Sequence, residues 1–336
     1  MNNQIDVSSP IPVLILFGPT ASGKTAILRK LFNSQKGASS VNLRAEVISA
    51  DSMQVYRGMD IGTAKPSAEE MEALPHHLID ICDPSQQFNA GDFVRLADEA
   101  CLEIAGRGWL PVVSGGTGFY LKNFIMGLSE APPSDKNIRE QLKAELREKG
   151  AAALMEELAL CDTVSAGRIH INDEYRLLRA LEVHRTSGRA LSSFEVSAGE
   201  KRSVFRFVII GLSRPREELY RRINLRCEEM FRLGLPEEVR SLFKAGFTPD
   251  DPGMKAIGYR EFFVESDEEP GTWRLSQDLE GVRALIAQNS RRYAKRQITF
   301  FASLPDVKWI DIGGDDTEAV EQIKRELNNF THLGIN

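Results

Sequence analysis

The segment GPTASGKT sets Gly18, Pro19, Thr20, Ala21, Ser22, Gly23, Lys24 and Thr25 in the spacing with which a chain closes its amides around a polyphosphate. Small residues let successive N–H groups turn inward. Lys24 adds a point charge, and Thr25 adds a hydroxyl that can hold Mg2+. Such a cradle serves a nucleotide to be hydrolysed, a phosphoryl donor, or a diphosphate that simply leaves. It defines a ligand class and is silent on the reaction. Asp51 follows the short β-prone run EVIS, and Thr117 stands within the glycine-rich SGGTG, where its hydroxyl faces a pocket mouth. Asp51 could equally be a helix cap or a turn residue, and Gly115, Gly116 and Gly118 plain turn residues.

These side chains must be brought together by the elements that carry them. Residues 13–17 are continuously apolar and partly β-branched, as in a strand buried on both faces of a parallel sheet, and a helix runs on from Thr25. Residues 46–49 and 110–113 read as two more strands, with a helix over residues 92–107 and a possible short strand within residues 75–80. Ligands of open α/β sheets sit outside the carboxyl ends of the strands, so Lys24, Asp51 and Thr117 are expected in one crevice.

A proline-marked break, APPSD at residues 131–135, opens a stretch with helical periods at 137–148, 152–160 and 174–186 and no convincing strand. A fourth strand is expected at 205–212, helices at 216–231, 236–245 and 282–301, and a closing strand at 307–310. The expected fold class is α/β: a P-loop NTPase-like parallel sheet flanked by helices, with an inserted all-helical lobe. The corresponding division is a first core part at 1–134, an inserted helical domain at 135–202, and a second core part at 203–336.

The chain has 336 residues, 42% hydrophobic and 27% charged, which places it among ordinary globular proteins with room for one large core and a second lobe. No apolar run reaches membrane-spanning length and the first ten residues carry no basic leader, so neither a membrane span nor an export signal is expected. Cys82, Cys101, Cys161 and Cys227 are scattered, as expected of reduced thiols in a cytoplasmic protein, and His76 and His77 lack partners at metal-ligand spacing. Net charge is −6, yet residues 168–226 hold 13 Lys and Arg against 7 Asp and Glu, and Arg291, Arg292, Lys295 and Arg296 form a second basic cluster. Localised positive charge is the footprint of a phosphate backbone; solvated arginine-bearing helix faces give the same pattern. Arg176 and Arg179 share one face of their helix, with Leu177, Leu178 and Leu181 opposite. They either meet phosphates or pair with Asp173 and Glu182.

Taken together, these motifs resemble one family, the tRNA dimethylallyltransferases, also called tRNA isopentenyltransferases. The matching stretches are GPTASGKT, ADSMQVYRGMDIGTAKP (50–66), PHHLIDICDP (75–84), GGTGFY (115–120), RALEVHRTSG (179–188), AIGYRE (256–261) and RRYAKRQ (291–297), in order over nearly the whole chain. The resemblance implies transfer of a dimethylallyl group from dimethylallyl diphosphate to N6 of the adenine 3′ of the anticodon in tRNA. It makes Asp51 the general base and Thr117 the hydroxyl at the bridging oxygen of the diphosphate. Lys24 and the loop amides hold that diphosphate, Thr25 holds Mg2+, and Arg139 reaches the diphosphate from the inserted lobe.

The tRNA-contacting residues carried over are Asp51, Ser52, Met53, Gln54, Thr117, Arg139, Tyr175, Arg176, Leu177, Leu178, Arg179, Met254, Lys255, Ala256, Ile257, Gly258, Tyr259 and Arg260. Position 175 is Tyr where the family usually has Gln, and the acidic stretch at 265–270 has no motif counterpart. No Cys follows Cys227, so a zinc finger like that of eukaryotic members is not expected, as in bacterial-type proteins. The expected partners are the tRNA anticodon stem-loop and dimethylallyl diphosphate, with a monomer as the default state. The residues alone leave two rivals: a small-molecule or nucleoside kinase, and a nucleotide-gated RNA-binding module without catalysis.

Overall fold

Alternate residues of the first strand, β1 (Ile11–Phe17), feed two different cores. Val13, Ile15 and Phe17 enter one and Leu14 and Leu16 the other, all of them fully buried. That is why the strand reads as an unbroken apolar run: both faces of a parallel sheet are covered by helices. In this computed structural model residues 10–32, 43–194, 202–266, 269, 271–313 and 316–331 are described. They pack as two units, one of Met1–Ile125 with Arg202–Asn336 and one of Met126–Lys201.

The first unit is built on a six-stranded sheet. Besides β1 it contains β2 (Ala45–Ser49), β3 (His76–His77), β4 (Leu110–Gly115), β5 (Phe205–Ser213) and a closing strand at Lys308–Asp311, in the order β3, β2, β4, β1, β5, closing strand. All five pairings are parallel; β1 aligns Leu14 with Val112 of β4 and with Val208 of β5. One face is covered by α1 (Lys24–Phe32) and by a C-terminal helix at Asp316–Thr331. The other is covered by α3 (Ala90–Gly106), α4 (Gly118–Met126), α8 (Arg216–Arg232), α9 (Leu235–Lys244) and α10 (Leu279–Phe301). The α/β parallel-sheet class is therefore as read from the sequence, and each expected strand is present within about two residues at either end.

Four features went unread. A short helix, α2 (Ala68–Ala73), begins at a capping box in which Ser67 Oγ accepts the Glu70 amide and the Glu70 carboxylate accepts the Ser67 amide. A small antiparallel hairpin, β6 (Phe263–Glu265) with β7 (Trp273–Leu275), flanks the acidic stretch, part of which lies outside the described residues. The C-terminal helix buries Ala319, Val320, Ile323 and Leu327 against α1 and the sheet. The fourth feature, α6 (Thr163–Arg168), belongs to the second unit and is capped by Asp162.

In that second unit, α5 (Lys136–Cys161) and α7 (Glu174–Ser187) pack around Leu142, Leu154, Leu158, Leu177 and Leu181. Gly150, at φ 80°, breaks α5 into two segments, matching the two helical periods seen on either side of it. Arg185 of α7 holds Glu145 (2.6 Å) and Glu157 (2.9 Å), one from each segment. No described helix is long and apolar enough to cross a membrane.

Gly115 shows how tightly the site is framed. A Cβ there would collide with the backbone carbonyl of Ala50, because the ends of β2 and β4 lie against each other. Gly115→Ala is expected to cost about 1–3 kcal/mol of stability, as overpacking does. An unchanged urea midpoint would contradict the close approach.

Candidate active site

The phosphate loop joins β1 to α1, and its carbonyl oxygens are taken up by cations. Lys24 Nζ donates to the carbonyls of Gly18 (2.9 Å) and Pro19 (3.1 Å). Arg222 Nε donates to Ala21 O (2.9 Å), and Arg214 Nε to Ser22 O (3.2 Å). With its acceptors occupied and the N-terminus of α1 behind it, the loop presents positive potential, as an anion cradle requires. Arg214 is itself buried and braced by Asp316 at 3.1 Å.

Asp51 lies just beyond the carboxyl end of β2. Its Oδ1 accepts the Met53 amide at 2.9 Å, so it closes a turn, and its side chain also lines the crevice. Turn residue and candidate base are thus one and the same. Thr117 follows β4; its amide donates to Ala50 O (3.1 Å), and its Oγ1 accepts the Ser52 amide (2.9 Å) and contacts Ser52 Oγ (3.3 Å). Gln297 of α10, nearly fully buried, spans the two glycine loops: Oε1 accepts the Thr20 amide (2.9 Å) and Nε2 donates to Gly116 O (2.7 Å).

The crevice encloses about 290 Å³. Thr20, Asp51, Thr63 and Arg226 give it a polar part, and Ile223, Met230, Ile257 and Ile286 an apolar part. That composition suits a ligand with a charged head and a hydrocarbon or aromatic body. Arg226 donates to Thr20 Oγ1 at 3.3 Å and reaches Thr63 O at 3.5 Å.

The charges here are coupled. Burial pulls the Lys24 ammonium down to about 8, an effect that the Asp51 carboxylate opposes and Arg226 reinforces. Arg226 is likewise lowered by burial and supported by Asp51. Burial, with the Asp51 charge second, lifts the Tyr293 phenol to about 12, so it stays a hydrogen-bond donor at neutral pH. Asp51 therefore shares an electrostatic environment with Lys24 across the end of β4, which lies between their strands.

The other sequence-derived residues fall into two groups. Ser52, Met53, Lys255, Ala256, Ile257 and Arg260 line the same crevice as Asp51. Gln54 is held by Ser49 Oγ (2.9 Å) and by the carbonyls of Thr63 (3.4 Å) and Ala64 (3.2 Å). Met254 and Tyr259 are fully buried, and Gly258 donates to Glu261.

In the second unit Leu177 and Leu178 are core residues, while Tyr175 is 73% exposed. Arg139 sits over the Tyr175 ring at 4.8 Å and pairs with Glu182 at 3.2 Å. Arg176 pairs with Asp173 (2.7 Å) and Arg179 with Glu182 (3.1 Å), the pairing that the sequence offered as the alternative to phosphate contact. Sequence reasoning gave no role to Arg214, Arg222, Arg226, Tyr293 or Gln297. The signal was present in part, since three of them lie in the basic stretch and the other two in RRYAKRQ.

Comparison with known proteins shows the family. The family model described as IPP transferase matches residues 54–304. A protein named tRNA dimethylallyltransferase from Geobacter sulfurreducens is 43% identical, over 93% of this chain and 94% of its own length. Its namesake from Geobacillus kaustophilus is 42% identical, over 96% and 98%.

Among solved structures, the tRNA isopentenylpyrophosphate transferase of Bacillus halodurans superposes with a TM-score of 0.66 at 38% identity, covering 95% of this chain and 96% of that one. A eukaryotic dimethylallyltransferase described as acting on tRNA gives 0.76 at 25% identity, covering 96% of this chain and 79% of that one. A cradle for a polyphosphate, a carboxylate beside it and a match running almost end to end thus lead to one assignment: this chain belongs to the IPP transferase family.

Proposed function

We propose that this enzyme transfers a dimethylallyl group from dimethylallyl diphosphate to the exocyclic N6 of the adenine 3′ of the anticodon in tRNA, releasing diphosphate. The observation that carries the reading is the Asp51 carboxylate lining, with Thr20 of the phosphate loop, a crevice that has an apolar wall, its charge acting on the nearby Lys24 ammonium. An allylic carbon loses diphosphate only if the departing charge is neutralised, and Lys24 with the loop amides supplies that neutralisation. The adenine amine is a weak nucleophile. As the N6–C1 bond forms and the C1–O bond breaks, the electron pair leaves with diphosphate and the N6 proton passes to Asp51. Thr117, fixed against Ser52, offers its hydroxyl to the bridging oxygen. The base must leave its stack to enter the crevice, a cost of a few kcal/mol that is smallest in an unpaired loop.

Mg2+ fits this arrangement. The Thr25 residue is exposed in the first turn of α1, and among the described residues no cluster of His, Cys, Asp or Glu could hold a metal by itself. A Mg2+ ion held by the Thr25 hydroxyl, diphosphate oxygens and water would offset phosphate charge. We place the enzyme in the cytoplasm as a monomer; its four cysteines are all free, in keeping with a reducing compartment.

The direct test is mass spectrometry of a tRNA anticodon loop after incubation with the protein and isotopically labelled dimethylallyl diphosphate. A labelled prenyl mass on the adenine is the expected result. Turnover with ATP and none with dimethylallyl diphosphate would reject the reading in favour of phosphoryl transfer.

The lowered Lys24 gives a second expectation. Diphosphate binding needs the ammonium, so kcat/KM for the prenyl donor should fall as pH rises through about 8, the free-enzyme value. A profile flat to pH 10 would contradict it. For stability the sign is opposite. Because the folded pKa lies below the unfolded 10.5, burying the charged lysine opposes folding at low pH, and that penalty lifts between about 8 and 10.5.

A further inference from the structure

Glu238, on α9, accepts four hydrogen bonds from two separate segments of the chain. Its Oε2 takes the amides of Asp60 (3.0 Å) and Ile61 (2.8 Å); its Oε1 takes the Gly62 amide (3.2 Å) and the Tyr259 hydroxyl (2.6 Å). Three consecutive N–H groups converging on one anion form a backbone nest, here filled by a side chain of the protein itself. Among the described residues no lysine or arginine pairs with Glu238, so these dipoles and the phenol stand in for a counter-ion. Tyr259 is fully buried and pressed so closely on Gly62 that a Cβ at position 62 would collide with its ring.

The segment held in this way forms part of the crevice wall, through Gly62 and Thr63. Its carbonyls face the working side chains. Thr63 O accepts from Gln54 Nε2 (3.4 Å) and Arg226 Nη2 (3.5 Å), and Ala64 O accepts from Gln54 Nε2 (3.2 Å). Arg226 in turn reaches Thr20 of the phosphate loop. The amide edge of residues 60–62 is thus fastened to Glu238, while the carbonyl edge of residues 63–64 orients one candidate RNA contact and one cation of the diphosphate cradle.

We propose that Glu238 is a positioning residue for prenyl transfer: by filling the 60–62 nest it fixes the crevice wall that aims Gln54 and Arg226. This rests on the function proposed above, and its test separates the two. A carboxamide offers one acceptor oxygen where the carboxylate offers two, and its NH2 faces amides that are themselves donors. Glu238→Gln therefore keeps the size of the side chain and leaves part of the nest unfilled. Glu237→Gln, an exposed neighbour paired with Arg240, is the control.

All variants are compared with the wild type at a temperature where circular dichroism shows each fully folded. In Glu238→Gln, amide hydrogen exchange at residues 60–62 should quicken about tenfold or more while the sheet amides keep wild-type protection. With tRNA and dimethylallyl diphosphate its kcat/KM should fall about 10- to 100-fold, mainly in kcat, as a misplaced site demands. Glu237→Gln should stay within about threefold of wild type, since the nest remains filled. Unchanged exchange at residues 60–62, or kcat/KM of Glu238→Gln within twofold of wild type, overturns the proposal. Failure of the wild type to transfer the prenyl group would overturn the function instead, because the exchange measurement needs no substrate.

Discussion

Asp51→Asn is expected to lower kcat by about 10²- to 10⁴-fold, the range for losing a general base, while the Kd for tRNA changes by less than about threefold. Asparagine is the informative replacement because its carboxamide oxygen can still accept the Met53 amide that Asp51 Oδ1 accepts at 2.9 Å. The turn after β2 is thereby kept and only the basicity is lost. Asp51→Ala removes both and should be more damaging, adding a loosened turn to the lost base.

A second consequence separates chemistry from folding. The Asp51 charge opposes the effect of burial on Lys24, so in Asp51→Asn the lysine should lose its proton at a lower pH than in the wild type. The falling limb of kcat/KM for the prenyl donor then moves to lower pH. Single-turnover rates measured against pH read both effects. A variant with wild-type turnover would leave Asp51 as a turn residue and nothing more.

Lys24→Ala should weaken binding of inorganic diphosphate by about 10- to 100-fold, the loss of one or two charge-assisted hydrogen bonds. It should also lower kcat by about 10²-fold or more, since the leaving charge is largest in the transition state. The variant also leaves the carbonyls of Gly18 and Pro19 without their Nζ donor, which unsettles the loop itself. Lys24→Arg keeps the charge but brings a planar fork where a compact ammonium fits, and should recover only part of the affinity. Isothermal titration with diphosphate decides the matter. Undiminished affinity in Lys24→Ala would remove Lys24 from the cradle.

Much of this fold could be read in advance wherever burial on two sides forces a continuous apolar run. β1 is such a run and β5 holds another over residues 207–210, while β2 and β4 are shorter β-prone stretches; the glycine-bounded turns after β1 and β4 mark where the crevice opens. The C-terminal helix escaped notice because its buried positions, Ala319, Val320, Ile323 and Leu327, are interleaved with charged residues and include an alanine. The hairpin of β6 and β7 is three residues a side, too short for any period to show.

At the site, residues whose chemistry sits in one short segment were found. Those whose role depends on distant partners were not: nothing in the local sequence tells Arg226 from any other arginine of α8, and only folding sets it beside Thr20 and Thr63. The spacing of Arg176 and Arg179 suits phosphate and carboxylate equally well, and within the chain they pair with Asp173 and Glu182.

Gln297 carries one last implication. A single carboxamide grips the amide side of one glycine loop and the carbonyl side of the other, so the gap between them is set by how deeply α10 is seated. The two rims behave as a pair of jaws on a common hinge pin. Truncating that one side chain would therefore loosen both rims together.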